Sequence, residues 1–476
     1  MKKNHLTNVI LAVGVSLLMV ACSAGDDGLM QGDRQWQKKD VQVTFDAYTP
    51  RSLTRAGASG DVTIADLQDN ATNLGKAGFG VFGYYSGNRL LRNDDQPNFM
   101  YNQQVKYESG KWDYSPYKYW PNEHADAESL ETDHVSFFAY APYADVYRAS
   151  GMINGENTTL QNQSNNSTGI TSMTALSDHG APVINYVVDT DPAMAVDLCW
   201  ATASDHPDPS DLSATKITWG PDHSTVDVYG GMPWLNLTRA KTVNDKVGFY
   251  FRHALSKLNV QIDAPASNDG SDYAIDVDAN TKVYLRSVSI TGFAMKGGLN
   301  LYNVVAGQPN WIGYEGIGHI SGGGVTFHDG RLDGREGLAA DGGEQLTGLN
   351  PNFIQSTFWG DASPMPGVVS TAGNLFGDGT AAAETPIYVI PNGHPLSVTV
   401  VYDIETKDDF LPGTLSDGQT SGISIENCVT RSIKVGGSPM ILQAGKAYTL
   451  RLHLGMNSVR FDFAVEKDWD YDYSEN

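Results

Sequence analysis

The chain is poor in cysteine, in positive charge and in helical patterning. Only Cys22, Cys199 and Cys428 occur among 476 residues. Cys22 has a separate use, described below, so Cys199–Cys428 is the one disulfide left open. The two lie in different halves of the chain, and buried free thiols are the default reading. Lysine and arginine together number 32 against 55 acids, a formal charge of −23. Removing a leader that holds Lys2 and Lys3 leaves 30 against 55, or −25. The basic footprint that nucleic acid demands is therefore missing, and no nucleic-acid partner is expected. Long stripes of period 3.6 are hard to find, and after the leader no apolar run is long enough to span a bilayer.

Catalytic signatures are missing too. Neither a G-x-S-x-G elbow nor an H-E-x-x-H pair occurs. Asp276-Val-Asp-Ala-Asn280 has the spacing of the first ligands of a calcium loop, but Thr281 and Ser287 replace the required glycine and bidentate acid. The run Asp205–Asp211 reads as a solvated, proline-rich acidic loop. Gly313, Gly316 and Gly318 follow the order G-x-x-G-x-G with no helix after them, which is not a phosphate loop. No catalytic residue, metal or cofactor is expected. The chain is not read as an enzyme.

What is abundant is glycine, with 50 residues, and aromatic side chains, with 23 Tyr and 9 Trp. That composition favours an all-β protein with many turns, and the length suggests two or three domains. The N-terminus carries Lys2 and Lys3, then an apolar run from Val9 to Val20, then Ala21-Cys22. This is a secretory signal over residues 1–21, too short for a membrane span. A cysteine after a small residue resembles the lipobox of bacterial lipoproteins, in which Cys22 is acylated and becomes the mature N-terminus. Burial of acyl methylenes, at about 0.8 kcal/mol each, makes such a cysteine a stable tether. Asp26 and Asp27 just behind it resemble the surface-export signal of Bacteroidetes lipoproteins. Residues 22–40 read as a polar tether.

Val247 to Ile262 is the stretch around which the rest is organised. Apolar residues alternate at Val247, Phe249 and Phe251, then in the opposite phase at Leu258, Val260 and Ile262. A phase change over Arg252–Lys257 requires either a bulge or a short crossing between sheets. His253 is weighed as a ligand or as a core histidine. No second ligand follows at local spacing, so the core reading is preferred.

Elsewhere, Val41, Val43 and Phe45 alternate as a short strand, followed by a polar link containing Arg51 and Arg55. Phe79–Tyr85 reads as a core strand whose glycines mark close backbone approach. Residues 151–181 are rich in Asn, Ser and Thr, most densely in the run Gln161–Ser167, which has no apolar periodicity, and read as a surface insertion. Val183–Val188 returns to strand. Val283, Leu285, Val288 and Ile290 shift phase at Arg286, which predicts a bulge. Gly313–Gly343 reads as long loops. Pro386–Pro391 is a short buried strand, and Leu396 to Ile404 alternates without a break. Tyr448–Leu454 and Val459–Val465 alternate as a hairpin.

Several segments carry a resemblance by their order. Thr54-Arg55-Ala56, the aromatic run from Trp112 to Pro121, Val135–Pro142, Ala195–Ala201, Tyr229–Pro233 and the FRHALSKLNV words of the central stretch are similar to the fimbrillin family. These are major and minor pilins and related surface lipoproteins of Bacteroidales. The likeness runs from Val41 to Trp469, with residues 300–380 unmatched.

It implies two tandem transthyretin-like β-sandwiches after the lipoprotein signal peptide, over 41–240 and 241–476. It also implies a structural, adhesive pilin-type subunit, lipid-anchored at the cell outer membrane and built into a fimbrium. The expected partners are other pilin subunits, the outer membrane, and a host or bacterial surface glycan or protein. Proteolysis after Arg55, or after Arg51 as second choice, would remove the first strand. A neighbour's strand would replace it, with Val459, Phe461, Phe463 and Val465 as the candidate donor. Two rivals remain: a non-polymerising glycan-binding surface lipoprotein, and a secreted hydrolase. For the first, the tryptophans would form a stacking platform rather than core.

Overall fold

The computed structural model describes residues 41–49, 61–70, 77–121, 123, 133–144, 151–153, 156–158, 168–192, 194–203, 216–219, 224–227, 233–239, 242, 246–263, 280–302, 308–313, 323–328, 344–345, 373–374, 385–415, 421–454 and 459–468. Among these the protein is nearly all β, arranged in several sheets. Ile64–Gln68 is the single helix among the described residues. Thr63 caps it, accepting from the Asp66 backbone while the Asp66 carboxylate receives the Thr63 backbone N–H.

A first, eight-stranded sheet starts at the edge strand Thr44–Tyr48. It continues through Lys246–His253, Cys199–Thr202, His134–Ala141, Phe79–Gly87, Met100–Glu108 and Lys111–Asp113, with Trp234–Leu237 also pairing to His134–Ala141. Its central strands are apolar on both faces. Phe79, Val81, Phe137 and Ala139 point into one core, while Phe82, Tyr84, Phe138 and Tyr140 point into the other. Strands buried on both faces read as continuous apolar runs, which is why Phe79–Gly87 shows so little alternation. A Cβ at Gly80 would stand 2.3 Å from the Tyr140 ring, so its glycine does mark close approach.

The phase reversal in the central stretch is a crossing between sheets. Lys246–His253 closes the first sheet and Ser256–Asp263 opens a ten-stranded second one, with Ala254 and Leu255 between them. Val247, Phe249 and Phe251 accordingly face the first core, and Leu258, Val260 and Ile262 the second. In the second sheet Ser256–Asp263 runs parallel to Lys446–Leu454 and antiparallel to Ile387–Pro391. Thr281–Ala294 pairs with Ser397–Lys407, and its register shifts between Leu285 and Ser287, the bulge expected at Arg286. Lys446–Leu454 and Val459–Asp468 form the expected antiparallel pair.

A four-stranded sheet joins the two halves of the chain. Its order is Gly169–Met173, Val183–Val187, Lys296–Asn300 and Asn310–Ile312, the halves meeting where Val183–Val187 pairs with Lys296–Asn300, and the second core runs continuously from Phe82 to Leu454.

Two expectations are corrected. Residues 151–181 are not only a surface insertion, because Gly169–Met173 is a strand with Ile170 and Met173 buried. A register shift between Ile170 and Ser172 breaks its alternation and hid it. Gly313–Gly343 is not only loop, because Gly323–His328 pairs antiparallel with Thr281–Ala294. Its Val325 and Phe327 are flanked by glycines that masked the period. Gln161–Ser167, Asp205–Asp211, Asp276–Ala279, Gly316 and Gly318 lie outside the described residues.

Candidate functional site: the edge strand and its groove

Thr44–Tyr48 takes its place through alternation. Phe45 and Ala47 are buried, as is Val43 just before them, while Asp46 is on the outer face within 3.2 Å of Lys246 Nζ. The strand pairs parallel to Lys246–His253, with Phe45 opposite Val247 and Ala47 opposite Phe249. Its approach is fixed on the other side by Val43 N–H donating to the Lys118 carbonyl (2.8 Å) and Trp120 N–H donating to the Val41 carbonyl (2.9 Å). Tyr114 donates its hydroxyl to the Val43 carbonyl at 2.8 Å. Burial raises the Tyr114 phenol to about 12, so it stays a donor across ordinary pH.

Phe45 anchors the strand. Its ring lies 5.4 Å from Tyr114, 5.8 Å from Phe137 and 5.6 Å from Phe249, in tilted, edge-on and stacked geometry. Burying Val43 and Phe45 is worth about 1.5–3 kcal/mol each. The aromatic run that follows is core rather than platform at its tryptophans: Trp112 and Trp120 are 7% and 5% exposed, leaving Tyr117 and Tyr119 at the surface. Phe138 is fully buried on the opposite face.

After the polar link the chain is held again at Asp61. Lys257 Nζ lies 3.0 Å from Asp61 Oδ2, and Tyr388 donates its hydroxyl to Asp61 Oδ1 at 2.7 Å. All three residues are buried, so the segment preceding the helix is tied to the second sheet. Sequence reading missed this contact, because its partners are 196 residues apart. A lysine inside an apolar alternation, between Ser256 and Leu258, was the available signal.

The other expected site residues fall as follows. Cys22, Arg51 and Arg55 lie outside the described residues. Val459, Phe461, Phe463 and Val465 lie on the strand Val459–Asp468, at an edge of the second sheet, opposite Leu454, Leu452, Leu450 and Tyr448. The Phe463 ring sits 5.4 Å from that of Tyr448. Cys199 is buried and Cys428 exposed, both free, so no disulfide joins them and the buried-thiol reading fails at Cys428. Cys428 falls on Gly422–Ser432, which pairs along its length with Ser397–Lys407, its one partner among the described residues, and presents much of its surface to solvent. His253 is buried, its Nδ1 2.5 Å from Asp197 Oδ2.

No family model matches the chain. Over 133 residues it is 31% identical to the fimbrium subunit Fim1C of Phocaeicola vulgatus; the match covers 27% of this chain and 30% of that protein. The matched part is thus less than a third of the relative's length. Among solved structures, a fimbrial protein from Bacteroides vulgatus aligns with a TM-score of 0.45 at 18% identity, covering 90% of this chain and 99% of that one. The fimbrial anchor protein Mfa2 of Porphyromonas gingivalis aligns with a TM-score of 0.27 at 9% identity, covering 90% and 100%. Across that 133-residue segment, the chain is a sequence relative of a Bacteroidales fimbrium subunit.

Proposed function

We propose that this chain is a pilin-type structural subunit of surface fimbriae, exported as a lipoprotein through Cys22 and assembled by strand replacement. The observation that carries the reading is the edge strand Thr44–Tyr48. It contributes Phe45 and Ala47 to the first core, and in sequence it is followed by the polar segment containing Arg51 and Arg55, which is its covalent connection to the chain beyond. Cleavage after Arg55, or Arg51, would free it together with the lipid anchor.

Loss of the strand would open a groove lined by Phe79, Phe137 and Phe249 and leave the outer backbone groups of Lys246–His253 unpaired, a costly state for a lone subunit. A neighbouring subunit's strand with apolar residues at every second position would fill it, main-chain hydrogen bonds supplying affinity and side chains specificity. Val459, Phe461, Phe463 and Val465 have that spacing, on a strand already at a sheet edge. Groove and donor are different surfaces, so the contact propagates as a filament instead of closing as a dimer. After the cut, the Asp61–Lys257 ion pair would hold the new N-terminal segment in place. In this reading the two sandwiches divide at the crossing Ala254–Leu255, since Lys246–His253 still belongs to the first sheet and the expected boundary at residue 240 moves past it; the precursor sits at the outer membrane, and the partners are other pilin subunits and a surface glycan or protein.

The test is N-terminal sequencing of surface material together with filament imaging, for wild type, Arg55→Ala and a chain truncated at Gly455. Mature chains beginning at Ala56, and filaments lost in both variants, are expected. Normal filaments from both, with residues 41–46 still attached, would sink the mechanism.

A further inference from the structure

At the end of the first sheet, where the chain is about to cross to the second, three donor side chains meet. Cys199 and His253 are directly opposed across antiparallel strands, so their side chains share a face. Asp197 lies two residues before Cys199, and its side chain reaches the same spot. His253 Nδ1 is 2.5 Å from Asp197 Oδ2, Cys199 Sγ is 3.3 Å from the same oxygen, and Sγ is 3.6 Å from Nδ1. All three residues are buried.

The geometry does not suit a nucleophile relay. In a Cys-His-Asp relay the thiol and the carboxylate engage opposite ring nitrogens, so that a proton passes through the imidazole. Here both face Nδ1. Convergence of sulfur, nitrogen and oxygen on one point is instead what a metal ion requires. A triangle with these three sides has a circumradius of about 1.9 Å, so an ion about 1 Å out of its plane would lie about 2.1 Å from every donor, close to zinc–nitrogen and zinc–oxygen bond lengths.

A further observation is the second carboxylate oxygen. Asp197 Oδ1 is buried with no hydrogen-bond partner, on a side chain with 0% exposure. Leaving such an oxygen unsatisfied costs about 1–3 kcal/mol, and more when it is charged, and a bidentate bond to a cation would satisfy it.

We propose that Asp197, Cys199 and His253 bind one transition-metal dication of the zinc type. A thiolate and an imidazole exclude the hard cations calcium and magnesium, which take oxygen donors. Thiolate and carboxylate together carry two negative charges, which a dication neutralises in a site shielded from water. The role is structural: the ion ties the residues entering Cys199–Thr202 to the strand Lys246–His253, next to the crossing at Ala254–Leu255 and one strand in from the groove edge. Binding displaces the thiol proton to solvent, so affinity rises with pH.

The test uses the full chain, stripped with a chelator and titrated with zinc, followed by calorimetry, and separately with cobalt, followed by absorption. One ion per chain, a higher Tm with zinc, and a thiolate-to-cobalt charge-transfer band are expected. Cys199→Ser should abolish that band and weaken zinc binding at least about tenfold. Cys428→Ser should leave both unchanged. If Cys199→Ser fails to fold, the double variant Cys22→Ala with Cys428→Ser, which keeps Cys199 as its one thiol, decides the matter: the band should persist there, and its loss would overturn the proposal. A wild-type chain with no band and an unmoved Tm, or a band that survives Cys199→Ser and so belongs to Cys22 or Cys428, would overturn the proposal.

Discussion

Lys257 reaches back from the strand Ser256–Asp263 of the second sheet to Asp61, and their charged groups meet 3.0 Å apart with both side chains at most 7% exposed. Breaking a buried pair by removing one partner leaves the other charge stranded, at a cost of about 3–5 kcal/mol. Lys257→Met should therefore lower the denaturation midpoint strongly. The double variant Lys257→Met with Asp61→Leu should recover part of the loss, and chemical unfolding of the three variants checks it. Equal losses in the single and double variants would show that the ion pair is not what matters there.

Trp120→Ala should destabilise the first sheet by about 3–5 kcal/mol, the usual cost of truncating a buried aromatic. Its ring packs edge-on to Phe137 at 6.0 Å, and its backbone N–H donates to the Val41 carbonyl just before the edge strand. Thermal melting is the measurement. A normal melt combined with lost glycan binding would favour the lectin reading.

Alkali should loosen the edge strand. Burial raises Tyr114 above its ordinary value of 10 to about 12, so the folded state holds the phenol proton where the unfolded chain has released it. The stabilisation is fully present below pH 10 and is lost as pH rises through about 12. Deprotonation also removes the donor to the Val43 carbonyl. Protection at residues 43–48, measured relative to the base-catalysed intrinsic exchange rate, should fall over that window, and Tyr114→Phe should remove that fall while lowering protection at neutral pH. Protection that stays constant with pH in wild type would refute the link.

Replacing the candidate lipid-bearing thiol should release the chain. Cys22→Ala should block processing and membrane association, as fractionation and acyl labelling would report. Asp26→Asn with Asp27→Asn should reduce surface labelling while leaving acylation intact. Unchanged surface display in the second variant would remove those acids from the export signal.

Local alternation was enough to read the strands whose two faces differ: Val43 to Phe45, Leu396 to Ile404, and the closing pair from Tyr448 to Val465. It also carried the phase change before Leu258 and the bulge at Arg286, since each is a break in a period of two. Strands without that contrast escaped. Gly422–Ser432 presents mostly exposed positions, and Gly169–Met173 is broken by a register shift.

The choice of neighbours was not legible either. Nothing local pairs Thr44–Tyr48 with Lys246–His253, 200 residues on, or makes Lys257 the partner of Asp61. Nor does any local spacing bring Asp197 and Cys199 to His253. A strand's period fixes which side chains face the core. Which strands lie side by side, and so which polar groups meet inside, depends on closing long loops around a shared core, and only the tertiary structure decides that.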